Sequence, residues 1–371
     1  MAVEPRDAVR RVEMAPLSEL VAVTVDDMEA HMDHLLDPGT DSASLYRRWE
    51  RQQWAVSDLD FTQDKADWAS LPPAIAQVMQ HTMTLFFIGE QAVTDTLAPL
   101  LHAARQEDER IFLATQIADE ARHTVFFQRF FDEVLEVGGG LHAALEAISP
   151  RATEGFRRIF EHQLRDAMDR VRLEPANDRA WVEGVVTYHL IIEGYLALAG
   201  QRNLLRYFRN AGLMPGFTTG FTAVARDESR HIGFGVLALR RRVLEDGEMG
   251  RVVARKVLEL LEPAAQTAVN PESKLNIPDP ATVPPELRQS PVELREFSIG
   301  SLSRRLRSVG LSDSTVDGLA QEMRGIYERL WDRYEEVHGV AHPVRWYQRE
   351  EASATPSNRF SGVPKGAKLT R

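Results

Sequence analysis

Residues 118–123 read ADEARH and residues 225–231 read ARDESRH, so Glu-x-x-His occurs twice, as Glu120/His123 and Glu228/His231. Positions i and i+3 of an α-helix lie about 60° apart and one turn along, so each pair presents a carboxylate and an imidazole on one face. Upstream of each stands a lone acid in an apolar run, Glu90 in LFFIGEQAVTDTL and Glu193 in YHLIIEGYLALAG. A carboxylate there is costly to bury unless a cation waits for it. The intervals from lone acid to pair, 30 and 35 residues, each fit a helix, a turn and half a helix. Antiparallel neighbours so arranged bring their acids to one level. Four carboxylates and two imidazoles are the ligand set of a two-metal site in a helical bundle, where a Glu can bridge two ions and neutral imidazole suits iron, manganese or zinc.

The competing reading is that these groups form salt bridges with Arg122, Arg226 or Arg230, which flank the motifs. Those arginines sit at i±2, near the opposite helix face, and apart from His189 no cation lies at i±3 or i±4 of Glu90 or Glu193. Asp227 is placed to accept the free N–H of a ligand histidine, and equally to be an exposed helix acid. His189, one turn before Glu193, is an additional ligand, a donor behind the ligands, or a satisfied core histidine. Phe126, Phe127, Phe130, Phe131, Phe234 and Leu97 line an apolar cavity or, as aromatic stripes more often do, form plain core.

The 371 residues carry a net charge of -11 and no cysteine. The charge argues against nucleic acid or an anionic membrane as partner. Without thiols, any metal is held by Asp, Glu and His. Acids punctuate the first thirty residues, and the longest apolar stretch, near 185–200, contains Glu193. A cytoplasmic protein with no membrane span is expected.

The periodicity predicts an all-α chain. Residues 1–45 form a loosely attached, partly ordered extension with one short helix, 46–340 the ferritin-like helical domain, and 341–371 a polar C-terminal tail. Helices are expected from Pro72-Pro73 to about His102, Glu107 to Val137, Thr153 to Val171, Asn177 to Arg209, Phe217 to Leu244, over 249–262, and near 292–308 and 313–338. The stretch 54–68 reads as irregular, and 276–291, with five prolines, as extended.

These residues resemble the ribonucleotide reductase small-subunit superfamily, from about Trp54 to Val236, and within it the ligand-binding oxidases with a mixed manganese/iron centre. The resemblance implies a first metal, manganese, on Glu90, Glu120 and His123, and a second, iron, on Glu193, Glu228 and His231. Glu120 bridges, and two irons are the other loading. It also implies O₂ as co-substrate, a long-chain fatty-acid-like ligand and a homodimer, and names no electron donor. Phe127 stands where reductase subunits store a radical on tyrosine. Val93 and Tyr188 match the valine and tyrosine that the oxidases join by an ether crosslink, although on an ideal helix Tyr188 lies about 140° from Glu193. Trp54 and Asp227 resemble the reductase electron-transfer chain towards His123, which keeps a radical-generating subunit as the alternative. An amine N-oxygenase, for which Val224 stands where a further His is usual, and a non-catalytic metal-binding bundle are further readings.

Overall fold

The computed structural model describes residues 5–353 except 138 and 276. Among these there are helices and turns but no strand. Four helices frame the acids and histidines: α1 Pro73–Thr96, α2 Glu107–Glu133, α3 Asp178–Ala211 and α4 Pro215–Glu245.

Local chemistry sets their ends. Pro73 occupies the first turn of α1, where its missing N–H costs nothing. The run expected to reach His102 breaks at Leu97 and restarts as Ala98–Ala103, with Pro99 in the new first turn. The Asn177 side chain accepts from the Ala180 N–H at 3.2 Å and caps α3. That helix ends on Gly212 at φ 67°, a left-handed position that glycine adopts without strain.

The start of α4 is capped from far away. The N–H groups of Gly216 and Phe217 donate to Asp64 at 2.9 and 2.5 Å, and that of Met214 to Asp67 at 2.7 Å. Two acids thus meet the positive end of a helix. They sit on a helix of their own, Thr62–Ser70, in the segment expected to be irregular. Its polar composition hid it, because what it satisfies lies more than 140 residues on in the sequence.

Helix α3 departs from regular α geometry. Val186–Ala197 forms a π-helix, as does Arg158–Leu164 within the segment predicted over 153–171. A side chain on Gly235 of α4 would come within 2.2 Å of the His189 Cβ, so glycine is what allows α4 this close to the π segment.

Phe126, Phe127, Phe130, Phe131 and Phe234 are wholly buried, and Leu97 is 1% exposed. Phe127 stacks on Phe86 at 5.9 Å, Phe130 meets Phe217 at 4.8 Å, and Phe234 stacks on Phe112 at 4.7 Å. Each such pair adds about 0.5–1.5 kcal/mol beyond its burial. These aromatics are core, as their spacing suggested.

The described parts near both ends hold helices that the sequence reading did not place. The first forty residues hold two α-helices, Pro5–Met14 and Val25–His34, tied by Arg11 to Asp27 at 2.8 Å. Arg226 of α4 donates to the Ala15 and Gln52 carbonyls at 2.8 and 3.2 Å, which fastens this segment to the bundle. Helix Val344–Ser353 lies within the predicted tail, with Val344 buried and Arg345 donating to Glu335 at 2.8 Å. The rest of that tail lies outside the described residues. By length and composition alone α3 is apolar enough to cross a membrane, but 83% of its apolar window is buried inside the fold. It is the core helix.

Candidate metal centre

Six side chains from the four helices converge in two groups. Glu90, Glu120, His123 and Glu228 form one; Glu120, Glu193, Glu228 and His231 form the other. Within each, one ligand atom per residue lies within 4.8 Å of the rest, and every member is buried. Glu228 therefore reaches both groups, as Glu120 does, whereas the resemblance had Glu120 alone as bridge.

The imidazoles are turned for ligation. His123 Nε2 lies 3.3 Å from Asp227 Oδ2, and His231 Nε2 lies 3.1 Å from Asp119 Oδ2. With the protons held there, each Nδ1 lone pair faces the acids. His123 Nδ1 is 3.3 Å from Glu90, 3.5 Å from Glu120 and 3.4 Å from Glu228. It nevertheless makes no well-formed hydrogen bond, and Glu193 Oε2 and Glu228 Oε2 also lack one. Orphaned lone pairs converging in a dry interior ask for a cation. Among the described residues no Lys or Arg pairs with any of the four glutamates. The donor set, oxygen with imidazole and no sulfur, fits a dinuclear site for first-row metals.

Electrostatics say the same. Burial pushes the Glu90 carboxyl up to about 8, against partial relief from His123. Burial and the charge of Glu228 raise Glu193 well above its ordinary value. Burial alone would depress both histidines, but the hydrogen bond to Asp227 and the nearby carboxylate of Glu120 lift His123, and the Asp119, Glu120 and Glu193 carboxylates lift His231. Without metal the cluster therefore retains protons that metal must displace. Between 4.5, the ordinary carboxyl value, and about 8, folded Glu90 holds a proton that the unfolded chain has lost. Metal-free stability thus falls as pH rises through that window, while metal affinity grows. Glu120, depressed by both histidines against its burial, contributes the opposite slope only on the acid side, below 4.5. The gap in Tm between metal-loaded and metal-free protein should widen from pH 5 to 8, roughly the window just given. Melts of both forms across that range check this; a gap that narrows contradicts it.

Around the six lies a duplicated support. Trp54 Nε1 donates to Asp227 at 2.9 Å, and Trp49 Nε1 to Asp119 at 3.0 Å. Arg230 joins the halves, donating to Asp119 at 2.9 Å and Asp227 at 2.7 Å. Arg122 pairs with Asp119 and lies over the Trp54 ring. The arginines thus neutralise these outer aspartates and leave the glutamates free. Asp119, Trp49 and Arg230 were missed as supports, although both motifs spell Asp-Glu-x-Arg-His.

His189 is not in either group. Its Nε2 meets Gln116 Oε1 at 3.1 Å, and the Gln116 amide donates to Glu193 at 3.1 Å. Burial and the charge of His231 push His189 down to about 3, so it stays neutral and orients a glutamate through Gln116. Tyr188 donates to Glu120 Oε1 at 2.5 Å. The π segment explains how: its wider turn rotates a residue five before Glu193 onto the same side, which an ideal α-helix would not.

Residues 40–270 match the family described as ribonucleotide reductase, small chain. The chain belongs to that family. Among solved structures, an R2-like ligand-binding oxidase with a Gly-to-Phe substitution and an anaerobically reconstituted Mn/Fe cofactor aligns with TM-score 0.60 at 28% identity, over 74% of this chain and 95% of its own. A Val-to-Ile variant, also with anaerobically reconstituted Mn/Fe, aligns at TM-score 0.55 and 25% identity, covering 80% and 94%. A Val-to-Leu variant with aerobically reconstituted Mn/Fe aligns at 0.56 and 27%, with the same coverage.

Proposed function

We propose that this family member is an O₂-activating oxidase that acts on an unactivated C–H bond of a long-chain, fatty-acid-like ligand. Manganese would be held by Glu90, Glu120 and His123, iron by Glu193, Glu228 and His231, with two irons as the other loading. The observation that carries the reading is one cavity of about 360 Å³, lined by Glu90, Glu120, Glu193 and Glu228 together with Val93 and Tyr188. An apolar chain and the metal-binding carboxylates can meet there, because Leu85, Phe86, Phe156, Phe160, Ile192 and Leu196 line the same cavity. We take the protein to be a cytoplasmic homodimer whose electron donor is unassigned.

When bound on these six residues, the metal pair would supply two of the four electrons that reduce O₂ to water. The other two come from joining Tyr188 to Val93: the phenol loses its hydrogen, valine loses one from carbon, and an O–C bond forms. Burial and the nearby glutamates keep the Tyr188 phenol protonated, and its hydrogen bond to Glu120 holds the oxygen at the cluster. Val93, 3% exposed and one turn from Glu90, offers its C–H to the same cavity.

The test is the intact mass of protein reconstituted anaerobically with Mn(II) and Fe(II), before and after O₂. The expected result is a loss of two hydrogens that maps to the Val93 and Tyr188 peptides and is absent in Tyr188→Phe. O₂ consumption at unchanged mass would contradict the crosslinking oxidase. The hydrogen-bonded series Trp54, Asp227, His123 favours a second reading, a radical-generating reductase subunit. Phe127 in the radical position weighs against it. A stable complex with a large reductase subunit would turn the choice towards it.

A further inference from the structure

Away from the glutamates, one stretch of the cavity wall carries three tyrosines and a histidine. It is built from Tyr195 of α3, Tyr327 and Tyr334 of helix Asp313–His338, and His342 just beyond. Three of these four come from beyond residue 270, where the family match ends.

The hydroxyls of Tyr195 and Tyr327 hydrogen-bond to each other. Burial raises both phenols, Tyr327 to about 12, so the pair holds two protons and uses one in that bond. One O–H is left over. The Tyr334 hydroxyl has no hydrogen-bond partner among the described residues. His342 Nδ1 accepts from the Val344 N–H at 3.0 Å, and burial with the charge of Arg345 pushes the ring down to about 4. Its single proton therefore sits on Nε2, which also lacks a described partner.

Three donors thus line the cavity with no hydrogen-bond partner among the described residues, and a ligand oxygen placed beside them would gain hydrogen bonds that an apolar chain cannot make. None is hydrogen-bonded to the glutamate cluster, so they form a separate polar station. No Lys or Arg is among the described residues lining the cavity, so nothing there favours a second anion.

Resting on the oxidase reading above, we infer that the ligand is bifunctional: a long acyl chain bearing a neutral oxygen, hydroxyl or carbonyl, in its distal half, received by Tyr195/Tyr327, Tyr334 and His342. An unsubstituted fatty acid leaves those donors unpaired, and a dicarboxylic acid brings a charge with no counter-ion.

The experiment measures binding of palmitic acid, hexadecanedioic acid, and hydroxy- and keto-palmitic acids with the oxygen moved stepwise along the distal half, to metal-loaded protein. At least one oxygenated acid should bind about three- to tenfold tighter than palmitic acid, and the diacid no tighter. In Tyr195→Phe/Tyr327→Phe/Tyr334→Phe that preference should vanish while palmitic acid binds as before, which a general packing defect would not produce. If the variant does not fold, the wild-type ranking still decides. Palmitic acid binding as tightly as every oxygenated acid, or a tighter diacid, overturns the inference and leaves the oxidase reading standing. No binding by any acid overturns both.

Discussion

Glu120→Ala, reconstituted with Mn(II) and Fe(II) and desalted, should retain less than one metal ion per chain, where the unaltered protein fills both groups. Glu120 belongs to each group, so its loss removes a ligand from both ions at once. It also leaves Tyr188 Oη, which lies 2.5 Å from Glu120 Oε1, without its acceptor. Removing a support such as Asp227 leaves every ligand in place and should weaken metal binding only about 10–100-fold. Metal analysis by mass spectrometry distinguishes the cases. Two ions per chain in Glu120→Ala would remove this glutamate from the site.

The largest effect on stability is expected at Arg230→Met. Arg230 is 1% exposed and its guanidinium donates to Asp119, Asp227 and Gln52. Methionine fills similar space but leaves the buried Asp119 and Asp227 with Arg122 as their one remaining guanidinium among the described residues. Breaking a buried ion pair on one side costs about 3–5 kcal/mol, far more than the loss of a pair exposed to solvent. Urea denaturation of the metal-free proteins measures the difference without contributions from metal. A cost below about 1 kcal/mol would mean that the aspartates do not depend on this charge. Both histidines lean on those aspartates, so the variant should also bind metal more weakly.

The candidate ligands were legible because their chemistry is local: an i, i+3 repeat and an acid in an apolar run both survive in a bare sequence. The helices came through for the same reason, with Asn177, Gly212 and Pro215 marking ends where they were expected. What was hidden depends on distant partners. Thr62–Ser70 is stabilised by backbone groups of α4, so its own composition reads as loop. Tyr188 looked misplaced because its geometry follows from a π segment that no residue pattern announces. Asp119 escaped although it occupies the place Asp227 holds in the other motif. Comparing the two motifs across their whole length, and not only at Glu and His, would have found it. The polar cavity wall could not be read at all, since it joins α3 to residues 327–342, far along the chain.

The central claim is that these six residues hold two different ions side by side. Crystals of protein loaded with Mn(II) and Fe(II) should give two anomalous peaks, about 3.5–4 Å apart as in other two-metal sites, with manganese dominating beside Glu90 and His123 and iron beside Glu193 and His231. A single peak, or metal bound away from these residues, would contradict it.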